Sequence, residues 1–292
     1  MNTYVKRDTY LNRLIVRRDN GQVKAITGPR RAGKSFLLDP IYKDYLLGQG
    51  VPEDHIISIS FDIEDEDTPQ ELLDRDKLKE YLYSRIKSDT DSYYVFLDEI
   101  QEVDGFEKIV NGLNKRANVD VYITGSNSRF LSNDIITIFR GRSDEVNVMP
   151  FNFLEFCQDR KESISELWKE YYTYGGLPAL RKMPTAEQKT TYLQKLWNKT
   201  YLDDIIERHH VENREALEAI TDALCSAVGS LTNTTRITNI LESVRKIKIS
   251  DDTVAKYIGY LEEAFLFSEA KRYNIKGNKY YENIKKYYSV DV

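Results

Sequence analysis

The sequence has few residues of the types that build cross-links or metal centres: two cysteines and three histidines among 292 residues. Cys157 and Cys225 show neither a C-x-x-C spacing nor neighbouring histidines, so a disulfide framework and a zinc site have little support. His209 and His210 are adjacent, and adjacent residues on a helix point in different directions. We therefore interpret both histidines as surface or interdomain residues, not as ligands of one metal.

Long apolar runs are also absent. No stretch approaches the roughly 18 apolar residues that a membrane-spanning helix needs. Lys6, Arg7 and Asp8 stand where a secretory signal would carry apolar residues. With 41% hydrophobic and 30% charged residues, the composition predicts a globular cytoplasmic protein with no membrane partner. A net charge of −5 argues against a protein that binds nucleic acid over its whole surface. It does not exclude a local basic face.

The most specific motif is the segment Gly28–Ser35, which matches G-x-x-x-x-G-K-[ST] at every fixed position. It follows the apolar run 23–26 and precedes a helical pattern, which is the context of a phosphate-binding loop. Glycines let the main chain approach a phosphate, and the helix that follows presents its positive end. The predicted contacts to ATP are Gly28, Pro29, Arg30, Arg31, Ala32, Gly33, Lys34, Ser35 and Phe36.

Two residues of this loop have more specific predicted roles. Lys34 would reach the β- and γ-phosphates, where it serves catalysis as well as binding, and Ser35 would hold Mg²⁺ through its hydroxyl. The alternative is an ordinary Gly-Lys-Ser turn that opens a helix. The strand before the loop and the helix after it favour the phosphate-binding interpretation.

A second motif is the apolar run 93–97, which ends abruptly in Asp98 and Glu99. In P-loop enzymes, an acid at this place holds Mg²⁺, and an adjacent glutamate can orient and deprotonate the attacking water. We assign the first role to Asp98 and the second to Glu99. A strand that reaches solvent and ends in acids is the alternative, and the phosphate loop upstream makes it the weaker one.

Two further segments supply candidates for contact with the γ-phosphate. After the predicted strand 119–124, Thr124, Ser126 and Asn127 are polar groups near the acid-bearing strand, and we favour Asn127 as the sensor. The alternative is an ordinary turn, because the residue types of Gly-Ser-Asn-Ser are typical of turns. Arg142 precedes a last core strand and could neutralise transition-state charge, in its own chain or in a neighbouring subunit. Its alternative is an ordinary surface arginine.

Strands and helices alternate through the first half, which predicts an α/β fold with a mostly parallel sheet covered by helices on both faces. Nucleotide should bind at the carboxyl ends of the strands. Residues 1–150 are predicted to form the ATPase core and residues 151–207 a helical lid or linker. Residues 208–292, with three helices and a hairpin, are predicted to form a winged-helix domain.

These motifs carry a family resemblance that extends over nearly the whole chain. The chain resembles the AAA+-type P-loop ATPases of the archaeal-ATPase and STAND-like group, which have an AAA+/RecA-like core and a C-terminal winged helix. The resemblance implies that Gly176-Leu177-Pro178 is a G-x-P element whose proline packs near the adenine. Members commonly continue past the position of Asp291 into a domain that resembles a restriction nuclease, and we carry over no nuclease role. The motifs that carry the resemblance are GPRRAGKS at 28–35, VFLDEIQ at 95–101, ITGSNS at 123–128, GR at 141–142, PFNFLEF at 150–156, GGLP at 175–178 and the final KYYSVD at 286–291.

The leading hypothesis is an enzyme that hydrolyses Mg-ATP to ADP and phosphate and thereby moves its winged-helix module or changes that module's partner. One alternative is a nucleotide-gated scaffold without hydrolysis, and another is a DNA-binding regulator that acts through the winged helix. Helix 250–263 carries Asp251, Asp252, Glu262 and Glu263, which phosphates would repel, so a protein partner or self-association ranks ahead of DNA. A small-molecule kinase is disfavoured, because Glu99 beside Asp98 suits activation of water.

Overall fold

The computed structural model describes residues 4–62, 70–125, 139, 141–270 and 284–291. The chain divides into two compact units, Met1–Ile164 and Ser165–Val292. Among the described residues, no helix combines the length and apolar character needed to cross a bilayer. The finer domain boundaries at residues 150 and 207 remain predictions.

The first unit is built on a parallel sheet of five strands in the order β2-β3-β4-β1-β5. The prediction of an α/β fold with a parallel sheet is confirmed. The three central strands are buried along almost their whole length, because helices cover both faces of the sheet. The strands are β1 (Val23–Thr27), β2 (Ile56–Ser60), β3 (Tyr93–Asp98), β4 (Val119–Thr124) and β5 (Ser143–Asn147).

Each face of this sheet has its own apolar core. On one face, side chains of α4 (Arg75–Arg85) and α5 (Phe106–Leu113) pack against alternate strand residues. Helix α5 buries Phe106, Ile109, Val110 and Leu113, which is the stripe that its spacing predicts. On the other face, α1 (Asp8–Ile15) and the helices after the phosphate loop pack against the remaining strand residues.

The helical segment after the phosphate loop is interrupted. It consists of α2 (Lys34–Phe36), the helical turns Leu37–Tyr42 and α3 (Lys43–Gly48). Asp39 interrupts the segment with φ −130° and ψ 111°. The next residue is Pro40, and steric conflict with a proline ring disfavours helical dihedrals in the residue before it. The described part of the first unit also contains the short helices Glu53–His55, Gln70–Leu73 and Ile100–Glu102 and the helix α6 (Phe153–Cys157).

The second unit is helical up to a short antiparallel pair, β6–β7, and Thr232 forms an isolated antiparallel bridge with Lys285. Helix α10 (Arg214–Ser226) buries Leu217, Ile220 and Leu224, and helix α12 (Asp251–Glu263) buries Val254, Tyr257, Ile258 and Leu261. Val228 lies beyond the end of α10 and is exposed. Ser250 caps α12 by accepting from the Thr253 amide at 3.2 Å. The elements are α7 (Ile164–Tyr174), the short helix Pro178–Lys182, α8 (Ala186–Lys195) with the turns Leu196–Leu202, α9 (Asp203–His209), α10 (Arg214–Ser226), α11 (Thr234–Ile240) with the turns Leu241–Arg245, α12 (Asp251–Glu263), β6 (Phe267–Ala270) and β7 (Lys286–Ser289).

Candidate nucleotide site

The loop Gly28–Ser35 lies directly after β1, at the carboxyl edge of the sheet. The backbone conformation of the loop requires a glycine at both of its glycine positions. Gly28 has φ 134°, and a Cβ there would lie 2.1 Å from the carbonyl oxygen of Val148. Gly33 has φ 90° and immediately precedes α2. A side chain at either position would disturb the loop, because L-residues rarely adopt such positive φ values.

Lys34 points back over its own loop. Its Nζ donates to the carbonyl oxygens of Gly28 at 3.1 Å and Pro29 at 3.0 Å, and the residue is only 4% exposed. Burial lowers the pKa of the Lys34 ammonium below its ordinary value, against the carboxylates of Glu99 and Asp98, which raise it. The ammonium is therefore held by neutral acceptors, and an incoming phosphate would be a better partner for it.

Asp98 is the last residue of β3 and is surrounded by hydroxyl groups. Thr124 Oγ1 donates to its Oδ1 at 2.5 Å, and Ser60 Oγ donates to its Oδ2 at 3.2 Å. Burial raises the pKa of the Asp98 carboxyl, against the nearby Thr124 and Ser35 side chains, which lower it. The structure thus brings together the two residues predicted to hold Mg²⁺. Their hydroxyl and carboxylate oxygens are the hard ligands that this ion prefers.

Glu99 follows Asp98 with φ 50° and ψ 42°, the left-handed region that non-glycine residues rarely adopt. This turn sends the two neighbouring carboxylates in different directions. The Glu99 amide donates to Thr124 Oγ1 at 3.0 Å, and Gln101 Nε2 donates to Glu99 Oε2 at 2.5 Å. Thr124 Oγ1 is therefore hydrogen-bonded to both acidic residues. Its hydroxyl, a candidate γ-phosphate sensor in the sequence, already has these two partners.

Ser60 and Gln101 are site residues that the sequence analysis missed. Ser60 ends β2 and pairs in register with Asp98, so a polar residue at a predicted strand end was the available signal. Gln101 is 6% exposed although its side chain is polar. Gln101 is the last residue of the VFLDEIQ motif at 95–101, but the motif does not show where its amide points, because the helical turn Ile100–Glu102 decides that.

The remaining predicted site residues lie elsewhere. Asn127 and Ser126 are outside the described residues. Arg142 is exposed and precedes β5, and its carbonyl oxygen accepts from the amide of Val23, the first residue of β1. The phosphate loop begins after the last residue of β1, roughly 13 Å further along the strand. The main chain of Arg142 thus lies at the edge of the sheet opposite to the phosphate loop of the same chain.

Pro178 and Phe36 complete the predicted contacts. Pro178 belongs to the second unit, where it begins the short helix Pro178–Lys182. Just before it, the amide of Gly176 donates to both carboxylate oxygens of Asp291, at 2.9 and 3.0 Å. Phe36 is half exposed and packs edge-on against Tyr4 with ring centroids 5.8 Å apart.

Comparison with known proteins agrees with this geometry. Residues 20–157 match the family model described as an AAA domain, and residues 165–292 match a domain of unknown function. An uncharacterized protein of Haemophilus influenzae is 35% identical over 98% of this chain and 72% of its own length. The chain belongs to the AAA+-type P-loop ATPases. Family and fold together support an ATP-binding ATPase.

Two further proteins are similar to this chain. The uncharacterized protein MJ1544 of Methanocaldococcus jannaschii is 28% identical over 87% of this chain and 58% of its own length. Among solved structures, the Walker-type ATPase of Pyrococcus abyssi superposes with a TM-score of 0.65. That structure is 15% identical, covering 98% of this chain and 94% of its own, so the likeness shows a shared fold.

Proposed function

We propose that this ATPase binds ATP with Mg²⁺ and hydrolyses it to ADP and phosphate. The observation that carries the proposal is the orientation of Glu99 at the loop edge, where Thr124 holds its amide and Gln101 holds its carboxylate. A general base must be positioned as well as present, and these contacts position it. Asp98, one residue earlier, faces the hydroxyls instead and is suited to a metal.

The proposed reaction uses water as the nucleophile. The water oxygen bonds to the γ-phosphorus while the bond from that phosphorus to the β,γ-bridging oxygen breaks, and the water proton passes to Glu99. Lys34 would stabilise the negative charge that develops on the phosphates.

Ser35 and Asp98 would hold Mg²⁺, which neutralises phosphate charge when it is bound. Asn127 is proposed to contact the γ-phosphate. Arg142 is exposed at the far edge of the sheet, so we propose that it acts on the site of a neighbouring copy and not on its own. Pro178 is proposed to pack near the adenine, on the basis of the G-x-P resemblance.

We also infer that residues 208–292 form a winged-helix module whose position or partner depends on the bound nucleotide. Helices α10, α11 and α12, the β6–β7 pair and the Thr232–Lys285 bridge support this assignment. A protein partner or self-association is the first candidate. Binding of DNA ranks second, because Asp251 accepts from Thr235 and Thr238 of α11, and these hydrogen bonds lower the pKa of its carboxyl and so preserve a charge that repels phosphates.

Substituting Glu99→Gln tests the central assignment. We expect single-turnover hydrolysis to slow by about 100-fold or more, because the amide cannot accept the water proton, while ATP affinity stays at the wild-type level. Glu107→Gln on α5 is the matched control and should hydrolyse ATP normally. An unchanged rate in Glu99→Gln would reject Glu99 as the base. A wild-type protein that binds ATP without hydrolysing it would favour the nucleotide-gated scaffold.

A further inference from the structure

Arg7 is buried behind the phosphate loop, although it lies before α1 and outside the segment that matches the AAA domain. It is 3% exposed. Its Nη1 donates to the carbonyl oxygen of Ala32 at 3.1 Å, and its Nη2 donates to that of Met149 at 2.6 Å. The guanidinium also lies over the ring of Tyr10, with its carbon 4.5 Å from the ring centroid. One side chain thereby joins the N-terminal segment, the loop and the chain after β5.

The charge of Arg7 is matched by a carboxylate that is itself fixed. Glu155 Oε1 lies 3.1 Å from Arg7 Nε, and Glu155 Oε2 accepts from the amide of Asn152 at 3.0 Å. Asn152 Oδ1 in turn accepts from the amide of Glu155 at 2.9 Å, which completes the capping box of α6. A buried guanidinium is tolerated only with such pairing, and the pairing places it rigidly.

The hydrogen bond to the Ala32 carbonyl also orients the N–H of Gly33, which belongs to the same peptide group. The peptide between Ala32 and Gly33 is trans, so its carbonyl and its N–H point in opposite directions. When Arg7 holds the carbonyl from behind, the Gly33 amide is turned away from Arg7. Loop amides of this motif bind the phosphates of the nucleotide.

The contact with Met149 acts on the other end of the loop. Met149 follows Val148, and the amide of Val148 donates to the carbonyl oxygen of Thr27 at 2.8 Å. The carbonyl oxygen of Val148 lies so close to residue 28 that only a glycine fits there. Arg7 therefore fixes the chain that packs against Gly28 as well as the peptide before Gly33.

We propose that Arg7 is a positioning residue that aims the Gly33 amide at the nucleotide phosphates. The proposal rests on the proposed nucleotide site and extends it to a residue that touches no nucleotide. It predicts that Arg7 controls affinity for the phosphates and not for the nucleoside. A residue that only stabilised the fold would change both equally.

The test is a pair of variants measured by binding. Arg7→Met with Glu155→Gln removes both charges together, so no buried charge is left unpaired. We expect its affinity for ADP to fall about 10-fold to 100-fold, the effect of one weakened hydrogen bond to a charged phosphate group, while its affinity for adenosine stays at the wild-type level. Arg7→Lys keeps a cation beside Glu155 and removes the fork of donors, so we expect a smaller loss in the same direction.

Arg13→Met is the control, because Arg13 also lies over the ring of Tyr10, at 5.4 Å, but is not bonded to the loop. Wild-type ADP affinity in both Arg7 variants would overturn the proposal, as would equal losses for ADP and adenosine. Because the readout is binding, a wild-type protein that fails to hydrolyse ATP would reject the proposed function without rejecting the role of Arg7.

Discussion

Two buried lysines, ten residues apart, show how differently this sheet treats charge at its two ends. Lys24 lies within β1, is 0% exposed and pairs with Asp120 of β4. Asp120 also accepts from the Tyr122 hydroxyl at 2.7 Å and from the Asp19 amide at 3.0 Å. Lys34, beyond the other end of β1, is 4% exposed, and its hydrogen bonds within the described part of the chain go to main-chain carbonyls. One ammonium is paired directly with a carboxylate, and the other is held by neutral acceptors.

Asp120 of β4 and Asp98 of β3 show the same contrast. Asp120 meets the ammonium of Lys24, whereas Asp98 meets hydroxyl groups. Burial raises the pKa of Asp98 and lowers the pKa of Lys34, so each of these groups bears a desolvation cost that its contacts do not remove. Groups held in this way are suited to partners from outside, a cation for Asp98 and a phosphate for Lys34. The pair at the amino end of the sheet is structural.

The first prediction breaks the structural pair. Lys24→Met would leave Asp120 buried without a counter-ion, and we expect the free energy of unfolding to fall by about 3–5 kcal/mol. Urea denaturation measures it. Adding Asp120→Asn should recover much of the loss, because the unpaired charge disappears. A loss under about 1 kcal/mol would show that the pair is not the structural element inferred here.

The second prediction removes the other lysine. Lys34→Met should weaken ATP binding by about 100-fold, the effect of a charge-assisted contact to phosphate, without lowering the free energy of unfolding at neutral pH. Because the folded state lowers the pKa of Lys34, the wild type bears a penalty that vanishes as pH rises towards 10.5, the ordinary lysine value. Any stability gain of the variant should therefore shrink in alkaline solution. Nucleotide titration and urea denaturation across pH test both parts.

The third prediction compares the acids and has the smallest expected effect on stability. Asp98→Asn should raise the free energy of unfolding at neutral pH, because the folded state raises the pKa of Asp98 and disfavours its charge. The gain should fade as pH drops towards 3.8, the ordinary value, where the carboxyl is protonated in both states. Asp120→Asn is the matched control and should destabilise the protein, because it leaves Lys24 unpaired. Equal shifts in urea denaturation of the two variants would contradict the comparison.

Much of this fold and site was readable from the sequence. The loop Gly28–Ser35 and the pair Asp98-Glu99 are short-range patterns, and the apolar periodicity of α5 and of the strands follows from burial. The contacts that position Glu99 were not readable. Thr124 reaches both acids only because β4 lies beside β3, and Ser60 reaches Asp98 only because β2 pairs in register with it.

By itself, the sequence determined the P-loop class, the parallel sheet and the identity of the charged groups at its carboxyl edge, since each depends on residues close together in the chain. The tertiary structure decided which buried charges are neutralised. Lys24 and Asp120 are 96 residues apart, and Arg7 and Met149 are 142 apart, so neither pairing follows from local pattern. Strand register and loop packing bring these groups together, and those depend on the whole core.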